Sequence, residues 1–154
     1  REIYPGKQGF LYMKPAAELV AFFNKATLDL KEKSSGTIVD VPLAYMLDFQ
    51  AILEPKSTIT FSFGEKYNVD LNPARATLSV NGPGIDVDRP CPVDTSHPLK
   101  IQVFVDKTMI EIFINDQFAQ TCEVDKWWPM EPTLKISGEG GNMNVEKYLI
   151  QVHE

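Results

Sequence analysis

Apolar side chains return at every second position in one short run after another along this sequence, and no other property restricts the fold as strongly. A period of two places alternate side chains on opposite faces of an extended strand, whereas a helix needs a repeat near 3.6. Leu47, Phe49, Ala51 and Leu53 alternate with Met46, Asp48, Gln50 and Ile52; Ile59, Phe61 and Phe63 alternate with Thr58, Thr60 and Ser62. Similar runs cover 67–71, 75–80, 100–106, 109–114, 118–124, 133–137 and 143–152. Between them lie segments that turn or break a chain, such as Glu54-Pro55, Asn72-Pro73, Asn81-Gly82-Pro83-Gly84 and 138–142. Many short strands with almost no room for crossover helices predict an all-β fold, a two-sheet antiparallel β-sandwich of the jelly-roll, concanavalin-like kind with about a dozen strands. One helix is expected over 15–23, with Pro15 at its first position and Ala16, Leu19, Val20 and Phe23 on one face. Residues 82–98, punctuated by Pro83, Pro90, Pro92 and Pro98, read as a long ordered loop.

Composition narrows the function classes. A chain of 154 residues with 44% hydrophobic and 23% charged residues is that of one ordinary globular domain. No apolar run approaches the roughly 18 residues that cross a bilayer, so no membrane partner is expected. The net charge is −6, with the 15 basic residues scattered, which argues against nucleic acid. Cys91 and Cys122 lack the spacing of a zinc site and are expected as two separate thiols, a single bridge being the alternative. The chain starts at Arg1 with neither an initiator Met nor a leader, which reads as a mature product or a fragment of something longer.

The segment 100–124 is the most informative. Ile101, Val103 and Val105 point one way, Asp106-Lys107 turns the chain, Ile110, Ile112 and Ile114 answer with a second branched set, and Asn115-Asp116 turns it again. A one-residue slip would expose all of these branched side chains, so the register is well specified. The opposite face carries Gln102, Phe104, Met109, Glu111 and Phe113. Two phenylalanines and a methionine there predict that this face too is covered, by a loop, by the N-terminal segment or by another domain. Phe104, Met109 and Phe113 are accordingly candidate domain-interface residues.

Here the sequence resembles a known family. KIQVFVDKTMIEIFINDQFAQT is similar to the signature strands of the C-terminal sandwich of glycoside hydrolase family 32, the invertases, inulinases and levanases. REIYPGKQGFLYMKPAAEL resembles that family's passage out of its five-bladed propeller, YMLDFQAIL and FGEKYNVDLNPARATLSV its early strands, and ISGEGGNMNVEKYLIQVHE its closing ones. Family members often show Asp-Arg-Ser-Ser where this chain has Asp106-Lys107-Thr108-Met109, so a contact that needs the arginine fork is not carried over to Lys107. The resemblance implies that residues 1–24 are a linker from an upstream propeller and 25–154 the sandwich. The family's nucleophile, stabiliser and general acid belong to the propeller, and none of their motifs occurs here, so no catalytic residue is assigned.

Each candidate site has a plainer reading beside it. Glycoside hydrolysis needs two carboxyl groups roughly 5 to 9 Å apart across a sugar. Asp106 and Glu111, the family's matching carboxylates, are candidates for carbohydrate binding; the plainer reading gives Asp106 the hydrogen bonds of its turn and Glu111 a neighbouring cation. Trp127-Trp128 are further carbohydrate-binding candidates, because an indole face packs against the C–H face of a sugar; the alternative is that they close the sandwich core. His97 and His153 read as surface residues without a metal partner, and Gly138-Glu139-Gly140-Gly141 as a turn rather than a phosphate cradle.

The resemblance implies a non-catalytic accessory domain of a β-fructosidase that packs on and stabilises the catalytic propeller, its main partner, with fructan or sucrose as a further one and no cofactor or metal. The rival expectation is a fructan-binding module with its own sugar site, since carbohydrate-binding module family 66 is similar to the same sandwich. An unrelated lectin-like sandwich is the third. A secreted or periplasmic bacterial location is expected, because fructans are too large to enter a cell intact.

Overall fold

The computed structural model describes residues 1–124 and 132–154. Along the chain lie β1 (Glu2–Pro5), β2 (Leu11–Lys14), α1 (Ala17–Phe22), β3 (Lys25–Asp29), β4 (Ile38–Asp40), β5 (Tyr45–Leu53), β6 (Thr58–Phe63) and β7 (Tyr67–Asn72). There follow β8 (Thr77–Gly82), β9 (Ile85–Pro90), β10 (Leu99–Val105), β11 (Met109–Ile114), β12 (Phe118–Glu123), β13 (Thr133–Glu139) and β14 (Met143–Val152). Two six-stranded sheets face each other: the first runs β12-β11-β10-β5-β14-β3 and the second β4-β13-β6-β7-β8-β9. β1 and β2 pair by themselves as a two-stranded sheet, and every pairing described is antiparallel. The sandwich expected from the alternating runs is the one found.

The alternation explains which side each residue takes. Leu47, Phe49 and Ala51 of β5, Ile101, Val103 and Val105 of β10, and Ile110, Ile112 and Ile114 of β11 all turn inward and are buried. Ile59, Phe61 and Phe63 of β6 and Tyr67, Val69 and Leu71 of β7 meet them from the second sheet. Phe49 sits between the layers, edge-on to Phe61 at 5.7 Å and to Tyr148 at 5.6 Å between ring centroids. Burying each such side chain contributes about 1.5–3 kcal/mol, so the two inward faces account for most of what holds the sheets together.

The turns are where the sequence placed them. Ile114 O accepts from Gln117 N–H at 2.9 Å across Asn115 and Asp116, which both have positive φ, 55° and 54°. The loop between β11 and β12 is three residues, 115–117, and Asn and Asp tolerate the left-handed conformation at its first two positions best after Gly. Other expectations change. The 82–98 loop contains a strand, β9: Ile85 and Val87 alternate with Asp86 and Asp88, and Pro90 is tolerated because β9 is an edge. The helix is shorter than expected, opening after Ala16 rather than at Pro15. β1 to β4 are three to five residues long and mostly exposed, too short for alternation to announce them.

Candidate functional site

The outward face of the first sheet holds a second apolar layer. Register places Phe104 beside Met46 of β5 and Glu111 of β11, with Phe113 next to Gln102. The ring of Phe104 meets Phe113 edge-on, 86° apart with centroids at 5.8 Å, and Phe23 lies over it at 5.8 Å. Leu19 and Val20 of α1 and Ala119 of β12 complete the cluster. The N-terminal segment is therefore the cover. Phe104 is 5% exposed and Phe113 1%, so neither presents a surface to another domain; α1 supplies the apolar neighbours that the interface expectation had given to a partner. Met109 stays at the rim, half-buried.

Four of the residues singled out from the sequence meet at this rim. Phe104, Asp106, Met109 and Glu111 line a cavity of about 90 Å³ with Leu19 and Phe23. Asp106 Oδ1 accepts from Thr108 N–H at 2.7 Å, Thr108 Oγ1 at 3.0 Å and Met109 N–H at 3.0 Å, which is the work of holding its turn. Glu111 Oε1 accepts from the Arg1 guanidinium and, at 3.1 Å, from the Thr121 hydroxyl. Arg1 is a partner that the sequence reading had not named. The plainer readings of both carboxylates thus describe the geometry of those oxygens.

The larger feature lies at the N-terminal hairpin. Tyr4 O–H donates to Asp116 O, Met13 N–H donates to Gln117 O at 3.0 Å, and the ring of Tyr12 meets Phe118 edge-on at 6.0 Å. These contacts lay β1 and β2 against the β11–β12 turn. Burial, and after it the Asp116 carboxylate, holds the Tyr4 phenol above its ordinary pKa. Lys14 Nζ lies 3.0 Å from Glu2 Oε2 and keeps the Glu2 carboxyl below the usual range. A side chain at Gly6 would put its Cβ 2.6 Å from the Tyr12 ring, so this corner needs glycine. Ile3 and Pro5, opposite Met13 and Leu11 in register, take the other side of the hairpin. There Ile3 is 61% exposed and Leu11 64%. Behind the hairpin, a cleft of about 420 Å³ separates the edges β9 and β12, lined by Arg1, Leu11, Arg89, Phe118, Gln120 and Thr121 among others.

The remaining candidates do not converge on this place. Trp127 and Trp128 fall outside the described residues. His153 stacks on Phe22, its ring 3.8 Å away and its Nδ1 2.9 Å from Phe22 O, while His97 is exposed in the segment after β9. Cys91 and Cys122 are separate, buried thiols. Among the described residues no group of three or more His, Cys, Asp or Glu stands close enough to hold a metal.

Comparison with known proteins adds a lineage. Residues 51–146 match the family described as "Glycosyl hydrolases family 32 C terminal". Among solved structures, the chain is similar to a glycoside hydrolase family 32 protein from Bifidobacterium adolescentis: TM-score 0.71, 17% identity, over 100% of this chain and 25% of that one. It is similar to the exo-inulinase of Aspergillus awamori at 0.66 and 15%, over 95% and 32%. A galectin from Caenorhabditis elegans shares the fold at 0.59 and 10%, over 83% and 96%. The chain thus spans a quarter to a third of the two glycosidase-type relatives and nearly the whole of the galectin. No curated protein matches it.

Proposed function

Since this chain belongs to the C-terminal family of family 32 glycosyl hydrolases, we propose that it is the non-catalytic accessory domain of a fructan- or sucrose-cleaving β-fructosidase and docks on the catalytic propeller through the outward side of its N-terminal hairpin. The observation that carries the reading is the exposure of Ile3 and Leu11 on one face of the hairpin, the face opposite Tyr4 and Tyr12. Exposed apolar side chains that share one face mark a contact surface. Their position two to ten residues after Arg1 puts that surface within the segment that resembles the family's passage from the propeller. The catalytic domain supplies the chemistry, and this domain covers part of its flank and slows its unfolding. Inter-domain contacts within a chain are commonly of modest size, so a few apolar anchors suffice.

The test uses the full-length enzyme with its propeller. Ile3→Asp together with Leu11→Asp is expected to shorten the half-life at inactivating temperature several-fold, while kcat/KM for sucrose or inulin at 25 °C stays within about twofold, since the substituted residues do not reach the chemistry. The same pair in the 154-residue chain alone should leave its melting temperature unchanged. Equal half-lives for the substituted and parent enzymes would sink the docking assignment.

A further inference from the structure

The outward face of the second sheet is almost wholly short and polar. Cross-strand register aligns Lys135, Ser62, Asn68, Asn81 and Asp86 in one row across β13, β6, β7, β8 and β9, and Ser137, Thr60, Asp70, Ser79 and Asp88 in the next. Lys135 apart, every member is a short Ser, Thr, Asn or Asp. Thr60 Oγ1 donates to Asp70 Oδ1 at 2.5 Å and Ser79 Oγ donates to Asp88, so the two carboxylates of the second row are held by their neighbours. With strands about 4.8 Å apart, each row is about 19 Å long. At the β13 end the face sinks into a depression of about 330 Å³ lined by Ile38, Gly64, Glu65, Asn68, Thr133 and Lys135. Ile38, opposite Lys135 in register, is 65% exposed at its edge.

We infer that this face binds a neutral, hydroxyl-rich chain, an oligosaccharide, with one ring seated in the depression and further units along Asn68, Asn81 and Asp86. The chemistry of the lining selects that class. A sugar hydroxyl both donates and accepts; Glu65 is an acceptor, Lys135 a donor, and Asn68 both, while Ile38 offers an apolar patch to the C–H face of a ring. Short side chains lose little rotamer freedom on binding, which suits a ligand that gains little per contact. Other partner classes fit badly. Glu65, Asp70, Asp86 and Asp88 against the single Lys135 repel phosphates. The rows hold no aromatic or large apolar anchor of the kind that dominates protein interfaces. Among the described residues the carboxylates are too dispersed to cage a cation. This site is on the opposite sheet from Asp106 and Glu111, and it stands whether or not the hairpin docks on a propeller.

Affinity electrophoresis of the 154-residue chain through gels containing levan, inulin or dextran tests the inference, with a poly-L-lysine gel at low and 0.5 M salt as the counter-probe. At least one neutral polysaccharide should retard the chain, and Asn68→Ala and Lys135→Ala should each weaken the retardation tenfold or more, with circular dichroism showing the fold intact. Three results would overturn it: no retardation by any of the neutral polymers; retardation that survives both substitutions or is lost instead on Asp106→Asn; or retardation by poly-L-lysine alone that disappears in salt, which would make the face a landing place for basic peptides.

Discussion

Arg1 donates from its guanidinium to the carboxylate of Glu111, joining the start of the chain to the middle of β11 across 110 positions of sequence. The contact ties the N-terminal hairpin to the first sheet at the point where α1 roofs its outward face. It also neutralises a carboxylate that is 8% exposed among Phe104, Phe23 and Met109. A charge in such surroundings is costly to leave alone.

Arg1→Ala should therefore destabilise the chain by about 1 kcal/mol, between an exposed ion pair and a buried hydrogen bond to a charged group, because the Arg1 side chain is itself 35% exposed. Urea unfolding reads the loss. Trypsin should then cut after Lys7 sooner than in the parent chain, since the hairpin has lost an anchor.

Removing the roof costs more. Phe23→Ala empties the space above Phe104 and should cost about 3 kcal/mol. A chain shortened to residues 25–154 would present Met46, Phe104 and Phe113 to water and should bind a hydrophobic dye strongly and aggregate, whereas the full chain should not. Dye fluorescence and light scattering distinguish the two.

Alkaline pH should unfold the domain earlier than ordinary thiols and phenols would. Burial pushes the Cys91 thiol up to about 12 from its ordinary 9.0. Between those values an unfolded chain releases a proton that the folded chain retains, so stability is constant below pH 9 and falls as pH rises toward 12, by roughly 4 kcal/mol at most for this group. Tyr45 and Tyr148 are raised in the same sense by burial. The urea midpoint at pH 11 should lie well below that at pH 8, and Cys91→Ala should flatten the difference.

The Tyr45 hydroxyl is buried without a hydrogen-bond partner among the described residues. An unpaired buried hydroxyl costs free energy that a phenyl ring does not, so Tyr45→Phe should stabilise by about 1 kcal/mol, seen as a higher melting temperature.

Gly140→Ala should act the other way. Gly140 has φ +82°, and a Cβ there would stand 2.7 Å from Lys56 O, a backbone atom that has no freedom to withdraw. Strain and clash together should cost about 2–3 kcal/mol, measured by thermal unfolding.

The sandwich was legible in the sequence because both faces of β5, β10 and β11 obey a period of two, and a slip of one residue would have put Phe49 or Ile112 in water. Asp106 was legible as a turn residue for the same local reason. The N-terminal segment was one of three expected covers of the second apolar face, but the pairing that closes it was not legible, since Phe23 and Phe104 are distant in sequence and nothing in either neighbourhood names the other. The hairpin of β1 and β2 escaped notice because strands of four residues carry too few alternations. The polar rows of the second sheet needed the register itself: Asp70 and Ser79 become neighbours only when β7 and β8 are aligned.

Strand order has a consequence for how the domain is made. β5 lies between β10 and β14, so residues 45–53 wait for partners at 99–105 and 143–152. During synthesis β5 leaves the ribosome with both edges bare, and the first sheet is complete only after Val152 has cleared the exit tunnel. The first sheet must then wait for β14 before it closes, on the slower timescale of distant pairings, and a nascent chain stalled before β14 would hold an open edge that invites pairing with its neighbours on the same message.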